Sequence, residues 1–330
     1  MTDAFRALVV NKENDRFSVD VKTLTFDDLP EGEVTIRTAY SSVNYKDGLA
    51  SIPDGNIVHT YPFVPGIDLA GTVVSSTDSR FKEGDEVIAT SYEIGVTHYG
   101  GFSEYARVKA DWVVPLPKGL TLKEAMAYGT AGFTAALSIQ RLEEHGIQPD
   151  RGEIVVTGAT GGVGSLAVAM LAKLGYDVVA STGKANEHDY LISLGAKEVI
   201  SREDVNPEKI RPLGKQRWAG AIDPVGGRTL AALLSNTKYG GSVAVSGLTG
   251  GPKVETTVFP FILRGVNLLG IDSVYCPMEI RKPLWERMAT ELKPDSLLSD
   301  IGHEVDLDGL PNVLQRILKG EIRGRAIVKF

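Results

Sequence analysis

The sequence predicts an α/β protein that combines a β-rich domain with a doubly wound parallel sheet. Segments of strand composition fill roughly the first 120 residues, whereas strands and helices alternate from residue 154 onward. At 330 residues the chain is long for a single hydrophobic core. A closing strand-like segment at 325–329 has no helix after it, so we expect it to rejoin the first domain. The predicted domains are residues 1–123 with 274–330, and residues 124–273.

The first region is β-rich because β-branched and aromatic residues recur between turns of Pro, Gly and Asp. Some of its segments alternate apolar and polar residues, as half-buried strands do. This pattern indicates a partly open barrel or a sandwich. The predicted strands are 6–10, 17–21, 33–40, 71–75, 86–90 and 102–108.

Helix signals begin near residue 120. Thr121 and Glu124 have the spacing of a capping box, and a second helix is predicted from about 129 to 144, ending at Gly146. Strands and helices then alternate, which indicates a parallel sheet with helices on both faces. The alternating segments are 154–157, 165–174, 177–181, 187–194, 198–200, 219–222, 227–236, 241–246 and 267–271. Further helices are predicted around 282–292 and 310–319.

The strand at 154–157 leads into a glycine-rich turn, and an apolar helix follows it. This order predicts a dinucleotide-binding unit. Gly161 and Gly162 would let the backbone approach a diphosphate, and Gly164 would let the helix pack on the strand. Ala159 occupies the first glycine position of the usual motif, but the strand at 177–181 completes a βαβ unit. We therefore expect a nicotinamide dinucleotide at this turn.

The residues after the second strand predict NADPH. An NAD site places an acidic residue there to hold the ribose 2′-hydroxyl, whereas this chain has Ser181, Thr182, Gly183 and Lys184. Hydroxyl and ammonium groups suit a 2′-phosphate. Arg202 follows the third strand and would reach the same phosphate if that strand pairs with the second. The alternative is that Lys184 and Arg202 are ordinary surface charges.

Composition excludes several classes of function. A net charge of −7 argues against nucleic-acid and anionic-membrane partners, and no apolar run approaches the roughly 20 residues that span a bilayer. The amino terminus lacks the pattern of a signal peptide. The single cysteine, Cys276, forms no internal disulfide and predicts a cytoplasmic protein. Five scattered histidines and one cysteine give no metal-ligand spacing, so no metal site is predicted.

Four motifs resemble the YhdH/YhfP branch of zinc-independent quinone oxidoreductase-like proteins in the medium-chain dehydrogenase/reductase superfamily. These motifs are 44–47, 65–71, 129–135 and 260–266, and the resemblance covers essentially the whole chain. That branch includes acryloyl-CoA reductases. The resemblance implies a GroES-like catalytic domain and a Rossmann domain. It also implies independence from zinc, because Val43 or Asn44 and Ile67 stand where zinc relatives have a Cys and a His ligand.

The resemblance also implies cofactor contacts. Diphosphate contacts would come from Thr160, Gly161, Gly162 and Val163, and contacts at the 2′-phosphate from Ser181, Thr182, Gly183, Lys184 and Arg202. Leu248 follows the strand at 241–246, whose carboxyl end is where such sheets bind ligands. The family pattern adds Ile262, Ser273 and Arg325 to the cofactor site, although Arg325 would alternatively be a surface charge, and Tyr45 would line the site beside the nicotinamide.

The chemistry expected from this resemblance is hydride transfer from NADPH to a conjugated carbonyl compound or a quinone. An enolate product needs hydrogen-bond donors and a proton. Tyr45 is the candidate proton donor, or else it lines the cofactor pocket. Asn44 would hold the carbonyl oxygen or position Tyr45, and Asp68 would orient its neighbours or serve a structural role.

Two questions stay open from the sequence. Its substrate is a small molecule: a CoA ester would need cations such as Lys46, and a quinone would need an apolar slot of Phe63, Tyr92 and Phe259. The chain would alternatively be a sensor that binds NADPH without turnover. A homodimer is expected, because relatives pair sheets edge to edge through the strand at 267–272.

Overall fold

The structure, a computed structural model, describes residues 4–14 and 16–330. These residues divide into two compact units. The first runs to Thr130 and resumes over Val274–Lys282 and Gly302–Phe330, and the second comprises Ala131–Ser273 and Pro283–Ile301. The prediction placed residues 124–130 in the second domain and residues 283–301 in the first, whereas the two units have them the other way round. The domain assignment itself stays a prediction.

Fifteen strands and eight helices are found in the described residues. The strands are Ala4–Glu13 (β1), Arg16–Thr25 (β2), Val34–Ser42 (β3), Asp68–Ser76 (β4), Glu86–Thr90 (β5), Tyr105–Val108 (β6), Val113–Pro115 (β7), Ile154–Val156 (β8), Val178–Thr182 (β9), Glu198–Ser201 (β10), Trp218–Asp223 (β11), Thr237–Val245 (β12), Asn267–Gly270 (β13), Gly302–Asp306 (β14) and Arg325–Lys329 (β15). The helices are Tyr45–Ala50 (α1), Leu122–Glu144 (α2), Gly162–Lys173 (α3), His188–Ser193 (α4), Gly227–Asn236 (α5), Phe259–Arg264 (α6), Met278–Met288 (α7) and Leu310–Leu318 (α8).

The first unit contains a seven-stranded sheet and a two-stranded hairpin of β1 and β2. The sheet runs in the order β14-β15-β3-β4-β5-β7, with β6 also paired to β3. Its pairs are antiparallel except β14 with β15. Apolar side chains that alternate along β3 and β4, including Val34, Ile36, Leu69 and Val73, are buried in one core. This β-rich architecture was predicted, and β15 joins the first unit as expected.

The second unit contains a six-stranded sheet in the order β10-β9-β8-β11-β12-β13, and every pair is parallel. β8, β9 and β11 are buried along their whole length, as the continuous apolar runs of a parallel sheet require. Its core includes Val155, Val179, Trp218, Leu230 and Val243. The predicted doubly wound α/β class is confirmed.

The longest helix, α2, contains the bend that the sequence predicts between two helices. Gly129 has non-helical backbone angles, φ 51° and ψ −156°, in the middle of the element. The predicted capping box is present, since the Thr121 backbone N–H donates to Glu124 and the Glu124 N–H donates to the Thr121 hydroxyl. No helix in the described part of the chain is both long and apolar enough to cross a membrane.

Some elements differ from the prediction. The helix expected at 282–292 lies at Met278–Met288, because Pro283 is accommodated inside it rather than limiting its start. Two short helices, α1 and α6, and the strands β7 and β14 were not predicted. α1 and α6 have six residues each, too few for a 3.6-residue periodicity to be recognised.

Candidate functional site

The glycine-rich turn of the second unit leaves three backbone donors free. β8 ends at Val156 and α3 begins at Gly162, and the N–H groups of Gly162, Val163 and Gly164 have no protein acceptor in the described residues. Helix starts with free N–H groups and a positive dipole end attract phosphate. A β-carbon at position 164 would lie 2.3 Å from the carbonyl oxygen of Gly158, so only glycine fits there.

The turn is held by bonds that leave its outer face open. The Ala159 N–H donates to the carbonyl of Ser181 over 3.1 Å, and the Ser165 hydroxyl donates to the carbonyl of Ala159. Thr160 is buried, whereas Gly161 is only half-buried. The predicted diphosphate residues therefore lie together at the carboxyl end of the parallel sheet. Their contact with a cofactor stays a prediction.

A buried acid beside this turn was missed from the sequence. Asp223, the last residue of β11, accepts hydrogen bonds from the Thr157 hydroxyl at 2.5 Å and from the N–H groups of Val225 and Gly226 at 3.0 Å each. Burial raises the pKa of Asp223, although these hydrogen bonds lower it. Asp223 thereby joins the turns that follow β8 and β11. A carboxylate that ends a predicted buried strand was the signal that could have found it.

The residues predicted to hold the 2′-phosphate lie side by side. β10 pairs with β9 as expected, and this brings Arg202 to Gly183. A β-carbon on Gly183 would lie 2.7 Å from Nη2 of Arg202. The Lys184 N–H donates to the Thr182 hydroxyl over 3.1 Å. Hydroxyl, guanidinium and ammonium groups are thus found together at the end of β9.

Three other residues of the second unit were predicted to contact the cofactor, and they are less closely associated with the glycine turn. Leu248 is 63% exposed and lies near the turn after β11, since a β-carbon on Gly226 would approach its Cα to 3.3 Å. Ile262 is 68% exposed on α6, and no recorded contact within the described residues joins it to the glycine turn. Ser273 is buried and accepts a 2.7 Å hydrogen bond from the Thr134 hydroxyl. Their cofactor roles stay predictions.

The first unit contains a buried polar cluster, formed by Ser42, Asn44, Asp47, Asp68, Thr130 and Arg325. Asp68 is fully buried at the start of β4 and accepts from the Ser42 hydroxyl and the Asn44 amide at 2.7 Å each. The Thr130 hydroxyl and N–H also donate to Asp68, at 2.5 and 2.9 Å. Nη2 of Arg325 lies 3.7 Å from the Asp68 carboxylate. Asp68 is therefore the hydrogen-bonding centre of the cluster.

Asp47 is the second acid of the buried polar cluster, and the sequence analysis did not select it as a site residue. It accepts from the N–H of Asn44 at 2.7 Å and of Ile67 at 3.0 Å. Burial first, and then repulsion by Asp68, raises the pKa of Asp47 to about 7. Its position three residues after Asn44, which makes it the partner in a capping box, is the signal that could have revealed it.

Arg325, predicted as a cofactor contact, is 2% exposed inside the same cluster. Its guanidinium donates to Asn44 Oδ1 at 3.2 Å, to the Ser42 hydroxyl at 2.8 Å and to the Val43 carbonyl at 2.9 Å. Burial lowers the pKa of Arg325, while the nearby carboxylates of Asp68 and Asp47 raise it. The alternative interpretation of Arg325 as a surface charge is wrong. Its cofactor role stays a prediction.

Tyr45 is the exposed member of this region. It is the first residue of α1, directly after the N-cap Asn44, and 43% of it is exposed. Its hydroxyl has no hydrogen-bond partner in the part of the chain that the structure describes. A proton donor or relay needs an accessible hydroxyl, and Tyr45 has one.

The residues suggested for a substrate pocket differ in exposure. Phe63 is 3% exposed in an apolar core cluster with Val10 and Val58, so it does not line an open slot. Tyr92 is half-buried and its hydroxyl donates to the Cys276 carbonyl over 3.1 Å. Phe259 is 44% exposed and Lys46 is half-buried.

The positions where zinc relatives have a Cys and a His ligand are occupied by Val43 or Asn44 and by Ile67 in the first unit. Val43 and Ile67 are apolar and buried, at 1% and 3% exposure, and neither can coordinate a cation. Among the described residues, no group of three or more His, Cys, Asp or Glu side chains is arranged to hold a metal ion.

Comparison with known families matches both parts of the chain. Residues 30–118 match the family described as alcohol dehydrogenase GroES-like domain, and residues 162–290 match the family described as zinc-binding dehydrogenase. The second name describes that family, and it does not alter the apolar residues found at the ligand positions here.

Individual proteins are similar over the whole chain. The putative quinone oxidoreductase YhfP of Bacillus subtilis is 62% identical over all of both chains, and its crystal structure with NAD bound has a TM-score of 0.97 over 99% of each. The acrylyl-CoA reductase AcuI of Ruegeria pomeroyi is 52% identical over 98% of each chain. The structure of E. coli YhdH with bound NADPH has a TM-score of 0.95 at 49% identity, covering 98% of this chain and 99% of that one.

Proposed function

This chain belongs to the YhdH/YhfP family of the medium-chain dehydrogenase/reductase superfamily, and we propose that it is a zinc-independent, NADPH-dependent reductase of conjugated carbonyl compounds. Its substrates would be an acryloyl-CoA-type thioester or a quinone. The Ruegeria relative named acrylyl-CoA reductase and the Bacillus relative named quinone oxidoreductase support this range of substrates.

The observation that carries the proposal is that the second unit contains two kinds of phosphate-binding group. Free backbone N–H donors lie at the glycine turn, and cationic side chains lie at the end of β9. The N–H groups of Gly162, Val163 and Gly164 would bind the diphosphate, and Lys184 and Arg202 would bind the 2′-phosphate. When bound, NADPH supplies the hydride. NAD in the Bacillus structure and NADPH in the E. coli structure show that relatives accommodate either form.

Thr160, Leu248, Ile262 and Ser273 complete the proposed cofactor site of the second unit. Leu248 and Ile262 are each more than 60% exposed, so both side chains are accessible to a bound ligand. Arg325, whose guanidinium makes four hydrogen bonds to protein acceptors, would act on the site through Asn44 rather than by touching the cofactor.

Tyr45 is the proposed proton donor. Hydride addition to a conjugated carbonyl leaves an enolate, which requires a proton at its α-carbon. The Tyr45 hydroxyl is free to donate that proton, and the α1 backbone that carries it begins at Asn44. Charge on the carbonyl oxygen would be stabilised by hydrogen bonds, because Ile67 and Val43 or Asn44 stand where zinc relatives have metal ligands.

Asn44 is better suited to positioning than to binding a substrate oxygen. Its amide nitrogen donates to Asp68 at 2.7 Å and to Asp47 at 3.3 Å, and its amide oxygen accepts from Arg325. Both ends of the side chain are therefore occupied. Of the two roles expected from the sequence, we propose that Asn44 fixes the start of α1 and with it Tyr45.

The test is NADPH consumption by the purified protein with acryloyl-CoA, enals and quinones. We expect saturable oxidation with at least one conjugated carbonyl compound or quinone, and a fall in kcat of at least tenfold in Tyr45→Phe with the affinity for NADPH unchanged. Tight NADPH binding without turnover of any of these compounds would refute the reductase assignment. Full turnover by Tyr45→Phe would remove only the role of Tyr45.

The edge strand β13 supports the proposal of a homodimer. β13 ends the order of the parallel sheet, so one side of its backbone is unpaired within the described residues, and Leu268 on it is 42% exposed. An exposed strand edge is a template for pairing with another chain. A monomeric mass by analytical ultracentrifugation at micromolar concentration would contradict this proposal.

The proposed location is the cytoplasm. Cys276 is the single cysteine of the sequence, so the chain forms no internal disulfide, and this composition is compatible with the reducing cytosol. Cell fractionation with an antibody against the protein would test the location, and recovery in the extracellular or membrane fraction would contradict it.

A further inference from the structure

The second unit carries a small cleft away from the glycine turn. It has a volume of about 200 Å³ and is lined by Lys209, Arg211 and Lys215, together with Gly214, Ser235 and Asn236. We call it the cationic cleft. Asn236 ends α5 and directly precedes β12, so the cleft lies at the amino-terminal edge of the parallel sheet. The glycine turn lies at the opposite edge, and a six-residue strand such as β11 separates the two by about 20 Å.

The loop that forms the cationic cleft is fixed in place. The Arg264 guanidinium donates to the carbonyls of Ser235 at 2.8 Å and of Gly214 at 2.7 Å. The Ser235 hydroxyl donates to the carbonyl of Arg211 at 2.5 Å, and the Gly214 N–H donates to the carbonyl of Ser235. A loop tied by these bonds presents its side chains around a preformed space, which lowers the entropy cost of binding.

These bonds also exclude the ordinary explanation for cations near a helix end. Cations often gather at a helix carboxyl terminus because its last carbonyls lack partners. Here Arg264 and the loop N–H groups already satisfy the carbonyls of Ser235 and Asn236, the latter through the N–H of Arg217. Lys209, Arg211 and Lys215 are therefore not needed to cap α5.

The three cations also lack acidic partners. In the described residues none of them lies within 4.0 Å of a carboxylate, and the lining of the cleft contains no acidic side chain. Arg217, next along the chain, is different, because it pairs with Glu153 and Glu198. Three cations without an acidic partner within 4.0 Å in the described residues therefore line one cleft. They create a local positive potential that an anion would neutralise.

We propose that the cationic cleft binds a small phosphate-bearing anion of about the size of diphosphate. Two ammonium groups, the planar fork of Arg211 and the amide of Asn236 are donors that phosphate oxygens accept strongly. A cleft of about 200 Å³ has room for a group of about the size of diphosphate. This site is independent of the proposed reductase activity.

Inorganic pyrophosphate is the probe for this site. Calorimetric titration would use full-length protein saturated with NADPH, at constant ionic strength, so that the phosphate contacts of the cofactor site are filled. We expect one pyrophosphate per chain. In the triple variant Lys209→Ser, Arg211→Ser, Lys215→Ser, binding should weaken at least tenfold. The matched control removes three exposed cations elsewhere, Lys22→Ser, Lys82→Ser and Lys118→Ser, and should retain wild-type affinity.

The outcomes separate a built site from general charge attraction. Absence of pyrophosphate binding to the NADPH-saturated protein would overturn the proposal, and so would equal weakening in the control variant. Unchanged NADPH affinity in the triple variant would show that it is folded. If it does not fold, the single variants Lys209→Ser and Lys215→Ser replace it. Each should weaken pyrophosphate binding two- to fivefold, and wild-type affinity in both would overturn the proposal.

Discussion

At the scale of single residues, Asp47 contributes a pH dependence to the stability of the first unit. Its carboxyl group is fully buried beside Asp68, and its pKa is raised from 3.8 to about 7. Because the folded pKa exceeds the unfolded pKa, Asp47 takes up a proton on folding between these values. Its contribution to stability is therefore fully present below pH 4 and is lost as pH rises through 7.

We predict that Asp47→Asn removes this pH dependence. Between pH 5 and pH 8, the free energy of unfolding of the wild type should fall by up to about 3 kcal/mol more than that of the variant, because each pKa unit is worth about 1.4 kcal/mol. Urea unfolding of both proteins at the two pH values measures the difference. Parallel pH dependence in the two proteins would contradict the raised pKa.

Arg202 is predicted to determine preference for the phosphorylated cofactor. Arg202→Ser should raise the KM for NADPH at least tenfold and leave the KM for NADH within about twofold, since only NADPH carries the phosphate that the guanidinium would bind. Lys197→Ser, which removes an exposed cation that pairs with Asp177, is the control. Steady-state kinetics with NADPH and with NADH measure the two KM values. An equal rise in KM for the two cofactors would show a structural effect of the substitution.

At the scale of elements, the bend in α2 is tied to the buried polar cluster. Gly129 has a positive φ, and a β-carbon there would lie 2.3 Å from the Ser42 hydroxyl, 2.4 Å from the Asp68 carboxylate and 2.7 Å from Arg325. The bend therefore provides the space in which the cluster is assembled. A straight helix through this position would displace one of its charged groups.

Gly129→Ala should destabilise the protein by about 3 kcal/mol, because it adds steric conflict with the buried polar cluster to the cost of a positive φ. Gly146→Ala, just beyond the end of the same helix, is the control. Gly146 also has a positive φ, but nothing lies within 4 Å of its β-carbon position, so we expect a loss of only about 1 kcal/mol. Chemical denaturation of both variants measures the two losses of stability. Equal losses would show that the structure around position 129 relaxes to accommodate the added β-carbon.

At the scale of the whole molecule, the chain is predicted to act without a metal. Dialysis against a chelator should leave reductase activity and the thermal midpoint unchanged, because Val43 and Ile67 supply no ligand where zinc relatives have two. Elemental analysis of the purified protein should find zinc far below one atom per chain. Loss of activity on chelation, restored by added zinc, would refute this.

The sequence by itself determined the order and type of most elements. β5, α5 and β15 were predicted with the bounds that the structure shows, because apolar periodicity and the flanking turn residues are local signals. The glycine turn and the end of β9 could be predicted as parts of a cofactor site because each is a short continuous segment of the sequence and so has a local signal. The short elements α1 and α6 gave no such signal.

Only the tertiary structure decided which distant residues meet. Asn44 and Asp47, Asp68, and Arg325 come from three places in the chain, and β3, β4 and β15 bring them into one buried polar cluster. Sequence reasoning treated Arg325 as a cofactor contact or a surface charge and did not select Asp47, because burial and long-range pairing have no local signature. The protonation of Asp47 depends on desolvation and a neighbouring charge, which arise only when the chain folds.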